Sequence, residues 1–201
     1  MSETDELLAG ARGGDPEALG RLFTLYQDRL RRALELRFDH RLQGRIDPAD
    51  VLQETFLEAT RRFSEYRHET DGSFFVWLRC IALSRLVDLH RRHLGAQTRD
   101  IRREVSLEGL VSPDAPSGAL AAQLLGDLTS PSEAAQRAES AARIQSALER
   151  MPPQDREILA LRHFEQLTNI EAAQVLGIEE SAASKRHLRA LSRLKDALKT
   201  A

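Results

Sequence analysis

The amino-acid sequence predicts an all-α protein of two small helical domains joined by a flexible linker, on three observations. The composition is rich in the helix-forming residues Leu, Ala, Arg and Glu, and aromatic residues make up only 5% of the chain. Apolar residues recur at three- and four-residue steps in two blocks, as on one face of an amphipathic helix. Between the blocks, Pro, Gly and Ser interrupt any such period. We therefore expect a first domain at 6–94, a linker at 95–140 with one short helix around 119–125, and a second domain at 141–199.

Three main helices are expected in the first domain. Asp15-Pro16 and Asp47-Pro48 are each typical of an N-cap followed by proline in the first helical turn. A third helix is expected from about Phe74 to Leu94, after the polar segment 68–73. The residues expected to face the core share helical spacing: Leu19, Leu22, Phe23, Tyr26, Leu30, Ala33 and Leu34; Leu52, Phe56, Ala59 and Phe63; Phe75, Leu78, Ala82, Leu86 and Leu89.

The second domain carries the pattern of a short capped helix, a glycine turn and a basic helix. The pair Pro152-Pro153 ends one helix near Arg150. Further along, Thr168 and Glu171 have the spacing of a capping box, and Gly177 supplies a left-handed turn residue. Such a pattern is typical of a helix-turn-helix, whose second helix fits the major groove of DNA. A helical hairpin with a solvated basic face is the structural alternative.

Charge is distributed unevenly along the chain, although the formal net charge is only −2. The acidic residues of one segment are Asp47, Asp50, Glu54 and Glu58. Two basic clusters comprise Arg85, Arg91, Arg92, Arg99, Arg102 and Arg103, and Lys185, Arg186, Arg189, Arg193, Lys195 and Lys199. We expect weak DNA binding by the free chain, with a second protein needed to bring the basic surfaces onto DNA.

Three groups of motifs, in this order along the chain, resemble the sigma-70 family of bacterial RNA polymerase sigma factors, in its small extracytoplasmic-function (ECF) group. Asp50-Val51-Leu52-Gln53-Glu54-Thr55-Phe56-Leu57 is similar to the region 2 helix that docks on the polymerase clamp. Phe75-Val76-Trp77-Leu78-Arg79-Cys80-Ile81-Ala82 is similar to the family's next helix. The motifs that resemble region 4 are Leu148-Glu149-Arg150-Met151-Pro152, Arg156, Leu161-Arg162, Leu167-Thr168, Glu171-Ala172-Ala173, Leu176-Gly177-Ile178 and Arg186…Arg189-Ala190.

The resemblance implies a promoter-recognition and transcription-initiation subunit, and not an enzyme. Its implied partners are the bacterial core polymerase, through the clamp coiled coil of the largest subunit and the flap, and promoter DNA. An anti-sigma protein is a further candidate partner, because such control is common in the family. No cofactor and no homo-oligomer are expected.

The resemblance also implies three sets of functional residues. Core polymerase would be bound by Asp50, Gln53, Glu54 and Leu57. The promoter −10 element would be bound by Arg67, Phe74, Trp77, Ser84, Arg85, Asp88, Arg91 and Arg92. The −35 element would be bound by Ser181, Ser184, Lys185, Arg186, Leu188 and Arg189. Without the resemblance, a solvated face is the better explanation of the acidic set. For Arg85 and Asp88 the alternative is an exposed ion-pair ladder, and only the resemblance favours DNA contact.

Two departures from the family pattern leave the promoter sequence open. Ser84 stands where members often carry Asn, and the stretch Ser181–His187 reads Ser-Ala-Ala-Ser-Lys-Arg-His where members usually read Gly-Thr-Val-Lys-Ser-Arg-Leu. The six histidines show no metal-ligand spacing with cysteine or paired carboxylates: His40, His68, His90, His93, His163 and His187. We therefore expect no metal site.

Two rival functions remain open from the residues alone. A stand-alone helix-turn-helix regulator would bind duplex DNA tightly by itself, commonly as a dimer on two half-sites. A helical adaptor would bind only proteins, and would be unaffected by alanine at Lys185, Arg186 and Arg189. A polar start and the lack of a long apolar stretch predict a cytoplasmic location without a signal peptide.

Overall fold

The computed structural model describes residues 2–38, 47–67, 73–94, 116–126 and 134–199, and within these ranges the chain forms nine α-helices and no strand. The helices are α1 Glu3–Arg12, α2 Pro16–Arg37, α3 Pro48–Arg62, α4 Phe74–Leu94, α5 Ser117–Gly126, α6 Ala134–Glu149, α7 Pro153–Leu159, α8 Asn169–Leu176 and α9 Glu180–Lys199. One 3-10 turn, Phe63–Glu65, follows α3, and one π-helical turn, Ala160–Phe164, extends α7. We call Ala160–Phe164 the π-segment.

The chain divides into two compact units, residues 1–105 and 106–201. The expected basic residues Arg99, Arg102 and Arg103, together with residues 68–72 of the polar segment, lie outside the described residues. No helix of the described residues has the length and apolar character needed to cross a membrane.

In the first unit, α2, α3 and α4 pack against one another around an apolar core. Its largest wholly buried apolar side chains are Leu22, Leu30, Leu34, Leu36, Tyr66, Phe75, Leu78 and Leu86. The expected helix starts are confirmed: Asp15 and Asp47 are N-caps that accept hydrogen bonds from the backbone N–H groups of Glu17 and Ala49, at 2.9 and 2.8 Å. Local capping therefore sets where α2 and α3 begin.

Helix α1 is an addition to the expected first unit. Ser2 is the N-cap of α1, and the Asp5 carboxylate accepts a hydrogen bond from the Ser2 backbone N–H at 2.8 Å. The sequence pattern that predicts this helix start is the Ser-x-x-Asp spacing. The helix packs on α2, where the Thr4 and Tyr26 hydroxyls lie 3.0 Å apart. A Cβ at Gly10 would lie only 3.2 Å from the Cβ of Ala18, so glycine permits this close approach.

In the second unit, α9 packs against α6, α7 and α8. The segment expected to be a linker, 95–140, contains α5 and the beginning of α6. The short helix expected around 119–125 is present as α5, and it packs against α6 and the π-segment with Leu120 wholly buried. Its alanine- and leucine-rich sequence has high helix propensity, and burial of Leu120 adds tertiary stabilisation.

Candidate promoter and polymerase interfaces

The short helix α8 has the boundaries that the sequence predicts for the first helix of a helix-turn-helix. The Thr168 hydroxyl accepts a hydrogen bond from the Glu171 N–H at 3.2 Å, and Glu171 Oε2 accepts one from the Thr168 N–H at 2.8 Å. At the other end Gly177 has φ +61°, and the Ile178 N–H donates to the Ala173 carbonyl at 3.1 Å. These local bonds end α8 within eight residues and turn the chain into α9.

Helix α9 is held to its unit by one small-residue face and by polar contacts near its ends. Ala183 and Ala190 are wholly buried, so α9 approaches the helices beneath it closely. Arg193 forms an ion pair with buried Asp155 of α7. Asn169 Nδ2 donates to the Glu180 carbonyl at 3.1 Å at the beginning of the helix. A helix fixed in this way presents its opposite face in a defined orientation.

The opposite face of α9 carries most of the residues expected to read the −35 element. Those that lie exposed on this face are Ser181, Ser184, Lys185, Leu188 and Arg189. Leu188 keeps 67% of its surface exposed, and neither Lys185 nor Arg189 forms an ion pair with another described residue. Arg186 is half-buried on the flank of the helix. Apolar, hydroxyl and cationic groups on one exposed helical face can contact base edges and phosphates together.

On α3, the four residues expected to meet the polymerase lie on one exposed face. Asp50, Gln53, Glu54 and Leu57 follow i, i+3, i+4 and i+7 spacing, and all four are exposed. Leu57 is an apolar side chain with 50% of its surface exposed, next to two carboxylates. Val51 and Leu52, on the opposite side, belong to the core. This face can bind a partner that offers an apolar contact flanked by basic groups.

On α4, the polar residues expected at the −10 element lie along the solvent side of the helix, and the Arg85 guanidinium already has a carboxylate partner. Ser84, Arg91 and Arg92 are exposed, and Arg85 and Asp88 are half-buried. Arg85 pairs with Glu58 of α3 at 2.9 Å and lies 3.9 Å from Asp88. An intramolecular carboxylate therefore neutralises much of the Arg85 charge in this structure.

The aromatic residues expected at the −10 element are packed inside the first unit. Phe74 and Trp77 keep only 3% and 7% of their surface exposed. The ring centroids of Phe74, Tyr66 and Trp77 lie 5.2 to 5.5 Å apart in each pair. Arg67 is exposed, and its guanidinium donates to the Ser64 carbonyl at 2.7 Å. The structure therefore brings Arg67 near the aromatic cluster but leaves no aromatic face of Phe74 or Trp77 open to a base.

Two family models match this chain, and their matched segments follow the structural units. Sigma-70 region 2 matches residues 22–94, and sigma-70 region 4 matches residues 141–194. The chain belongs to the sigma-70 family. Region 2 spans most of α2, together with α3 and α4, whereas region 4 spans the later part of α6 through most of α9. Helices α1 and α5 lie outside both matches.

Among the relatives of this chain within the sigma-70 family are proteins named as ECF sigma factors. It is 27% identical to the ECF RNA polymerase sigma factor BldN of Streptomyces coelicolor, over 94% of this chain and 63% of BldN. It thus spans less than two thirds of the length of that relative. It is 28% identical to the RNA polymerase sigma-H factor of Pseudomonas aeruginosa, over 98% of this chain and 95% of that protein.

Among solved structures, the fold is similar to that of CnrH, determined in complex with the cytosolic domain of CnrY. The TM-score is 0.57 at 24% sequence identity, and the alignment covers 99% of each chain. This likeness supports the all-α fold.

Several contacts that shape these surfaces were not predicted from the sequence. Glu58 pairs with Arg85, Arg79 is almost wholly buried in α4, and His163 contacts His187 of α9 with their Nε2 atoms 2.9 Å apart. No local pattern marks such contacts, because the partners lie on different helices. The arginine in the middle of α4 offers no sequence signal of burial either, since arginine is usually exposed.

Proposed function

We propose that this chain directs promoter recognition and transcription initiation by bacterial RNA polymerase, as a stoichiometric subunit and not as an enzyme. Membership of the sigma-70 family and the preformed exposed face of α9 carry the proposal. In it, α3 binds core polymerase through Asp50, Gln53, Glu54 and Leu57. Promoter recognition by the polymerase implies a cytoplasmic location.

The proposed division of labour assigns the −10 element to 6–94 and the −35 element to 141–199, with 95–140 between them. Since α5 packs on α6 and on the π-segment, the −35-reading unit extends to include α5. Two weak DNA contacts joined to one polymerase act through effective concentration, so neither has to be strong by itself. The polymerase flap and an anti-sigma protein remain proposed partners.

Reconstitution of transcription tests the function. The purified chain and bacterial core polymerase would be incubated with a genomic fragment library, and transcripts that depend on the chain would be mapped. We expect starts at fixed sites. Replacement of Gln53 and Glu54 by alanine should abolish the transcripts and core binding together. A matched control replaces exposed Gln27 and Glu35 of α2, and should retain both activities.

A second pair of variants separates promoter reading from polymerase binding. Replacement of Lys185 and Arg189 by alanine should abolish the transcripts and leave core binding intact. Exposed Arg143 and Lys199, replaced together, provide the charge-matched control. If the chain neither binds core nor directs any start, with a silencing partner excluded, the proposal fails. Tight duplex binding by the free chain as a dimer would favour the stand-alone regulator instead.

A further inference from the structure

Two histidines meet where the recognition helix α9 approaches the π-segment. His163 lies on the π-segment and His187 lies on α9, and 24 positions separate them in the chain. Their Nε2 atoms are 2.9 Å apart, and their ring centroids are 5.0 Å apart with a tilt of 42°. The contact therefore joins the π-segment to α9, so loss of the contact would allow this part of α9 to move.

The short distance requires that one ring donates and the other accepts. The accepting ring uses the lone pair of its Nε2 atom, so its own proton is on Nδ1. The donating ring has a bare Nδ1 atom, which can take a first proton without loss of the contact. A second proton must bind the accepting Nε2 atom. Two N–H groups and two positive rings then face each other, and the hydrogen bond is lost.

The surroundings disfavour charge on either ring. His163 is exposed and His187 is half-buried. Partial burial of the His163 ring lowers its pKa below the ordinary value, and the Arg162 guanidinium lowers it further. Burial also lowers the pKa of His187, followed by the charges of His163 and Arg162. The uncharged form of both rings is therefore favoured at neutral pH, and in that form the contact can form.

Carboxylates on the neighbouring elements do not offset these effects. Asp155 of α7 pairs with Arg193 of α9, Glu171 of α8 accepts from the Thr168 backbone, and Glu180 of α9 accepts from Asn169. Glu157 of α7 and Glu165 after the π-segment are buried, and the pKa of each histidine is lowered in their presence. Arg162 is thus the charged neighbour that acts on both rings.

We propose that the contact between His163 and His187 is a proton-sensitive positioning contact for the recognition helix. It holds α9 on the π-segment while the pair carries at most one proton, and it releases that part of α9 when both rings are charged. Both histidines are positioning residues and need not touch DNA. The contact exists whether or not the chain is a sigma factor, whereas its consequence for the −35 element rests on the proposed function.

The direction of the pH effect follows from the sign of the two shifts. A histidine whose pKa is lowered on folding stabilises the folded state fully above its ordinary pKa of about 6.5, and this stabilisation is lost as pH falls below that value. Aspartate and glutamate, with ordinary pKa values of about 4, stay charged down to pH 5.5. The window from pH 7.5 to 5.5 therefore isolates the histidines.

Histidine NMR titration and amide hydrogen exchange of the full-length chain test the contact without any promoter. His163→Gln and His187→Gln assign the two ring signals. We expect both midpoints below 6.5, and a higher midpoint for His187 in the His163→Gln variant. Protection factors of amides around residue 187 should fall as pH is lowered from 7.5 to 5.5. Amides of α2 serve as the internal control.

The matched variant combines His163→Leu with His187→Leu, which fills similar space and cannot titrate. Its protection factors should be the same at both pH values. Equal pH dependence of α9 in this variant and in the native chain would overturn the proposal, as would ring midpoints at or above 6.5. In the polymerase complex, promoter binding through −35 should weaken in acid more for the native chain than for the double variant. If only the promoter-binding measurement fails, the His163–His187 contact would still be proton-sensitive, but it would not affect −35 binding.

Discussion

The two proposed DNA-binding surfaces differ in how complete they are in the chain by itself. On α9, the exposed face already presents Lys185, Leu188 and Arg189 to solvent. In the first unit, Phe74 and Trp77 are packed inward and Arg85 is paired with Glu58. Duplex recognition needs only a rigid convex helix, whereas capture of an unstacked base needs a pocket with an open aromatic wall. The proposed −35 surface is therefore already exposed in the chain by itself, and we infer that the proposed −10 surface rearranges when polymerase and DNA bind.

The largest effect on stability is expected from replacement of Trp77. Replacement by alanine should lower the free energy of unfolding of the first unit by about 3 to 5 kcal/mol, because the side chain is buried among aromatic rings. Replacement by phenylalanine should cost less, since most of the buried volume remains. Urea unfolding followed by circular dichroism measures both. A loss below about 1 kcal/mol for Trp77→Ala would place the side chain outside the core and remove the contrast between the two surfaces.

A second large effect is expected from Leu120 of α5. Replacement by alanine should lower the unfolding free energy of the second unit by about 2 to 5 kcal/mol, since the side chain is wholly buried. Exposed Ala122 of the same helix, replaced by serine, is the control. If the Leu120 variant unfolds like the native chain, α5 is not part of the second unit. The −35-reading unit would then begin nearer residue 141.

Salt dependence of promoter binding compares the two surfaces directly. Each lost phosphate contact should reduce the slope of log affinity against log salt by about 0.9. The Lys185→Ala, Arg189→Ala double variant should therefore lower the slope by about two in the polymerase complex. Arg85→Ala should lower it by less, because Glu58 already neutralises that guanidinium. An equal change in the salt slope per replaced residue on both surfaces would contradict the conclusion that the α9 surface is exposed and the α4 surface is not.

The Arg85–Glu58 ion pair can be isolated with a double-mutant cycle. Both side chains are largely buried, with 27% and 20% exposed, so we expect a coupling energy of about 1 kcal/mol, above that of a typical exposed pair. Thermal or urea unfolding of the two single alanine variants and the double variant gives this value. The Arg31–Asp28 pair, with both side chains more than half exposed, is the control and should show less coupling. If the coupling energy of the Arg85–Glu58 pair does not exceed that of the control pair, separating Arg85 from Glu58 would cost little free energy. Arg85 would then be available to contact DNA.

A comparably small effect on stability is expected at the cap of α8. Thr168→Ala removes the hydroxyl that accepts from the Glu171 N–H, and should cost about 1 kcal/mol of unfolding free energy. Thr168→Ser keeps the acceptor and should remain near the native value. Calorimetry of the second unit within the full chain provides the measurement. A native-like alanine variant would show that tertiary packing alone holds the first helix of the helix-turn-helix.

Prediction from sequence succeeded where a local pattern encodes the feature. The starts of α2 and α3, the cap of α8 and the left-handed Gly177 all follow from residue types within four positions of each other. The exposed face of α9 also followed from helical spacing. Which aromatic residues face inward was not decidable, because Phe74, Phe75 and Trp77 occupy a helix that is apolar over much of its circumference. The roles of all these surface residues stay predictions.

By itself, the sequence determined the helical class, most helix boundaries and the family to which the chain belongs, because capping, turn chemistry and apolar spacing act over a few residues. Only the tertiary structure decided the pairing of Arg85 with Glu58, the burial of Trp77, the docking of α5 and the meeting of His163 with His187. The physical reason is sequence separation. These contacts arise when helices remote in the chain pack together, and packing depends on the shape of the whole core.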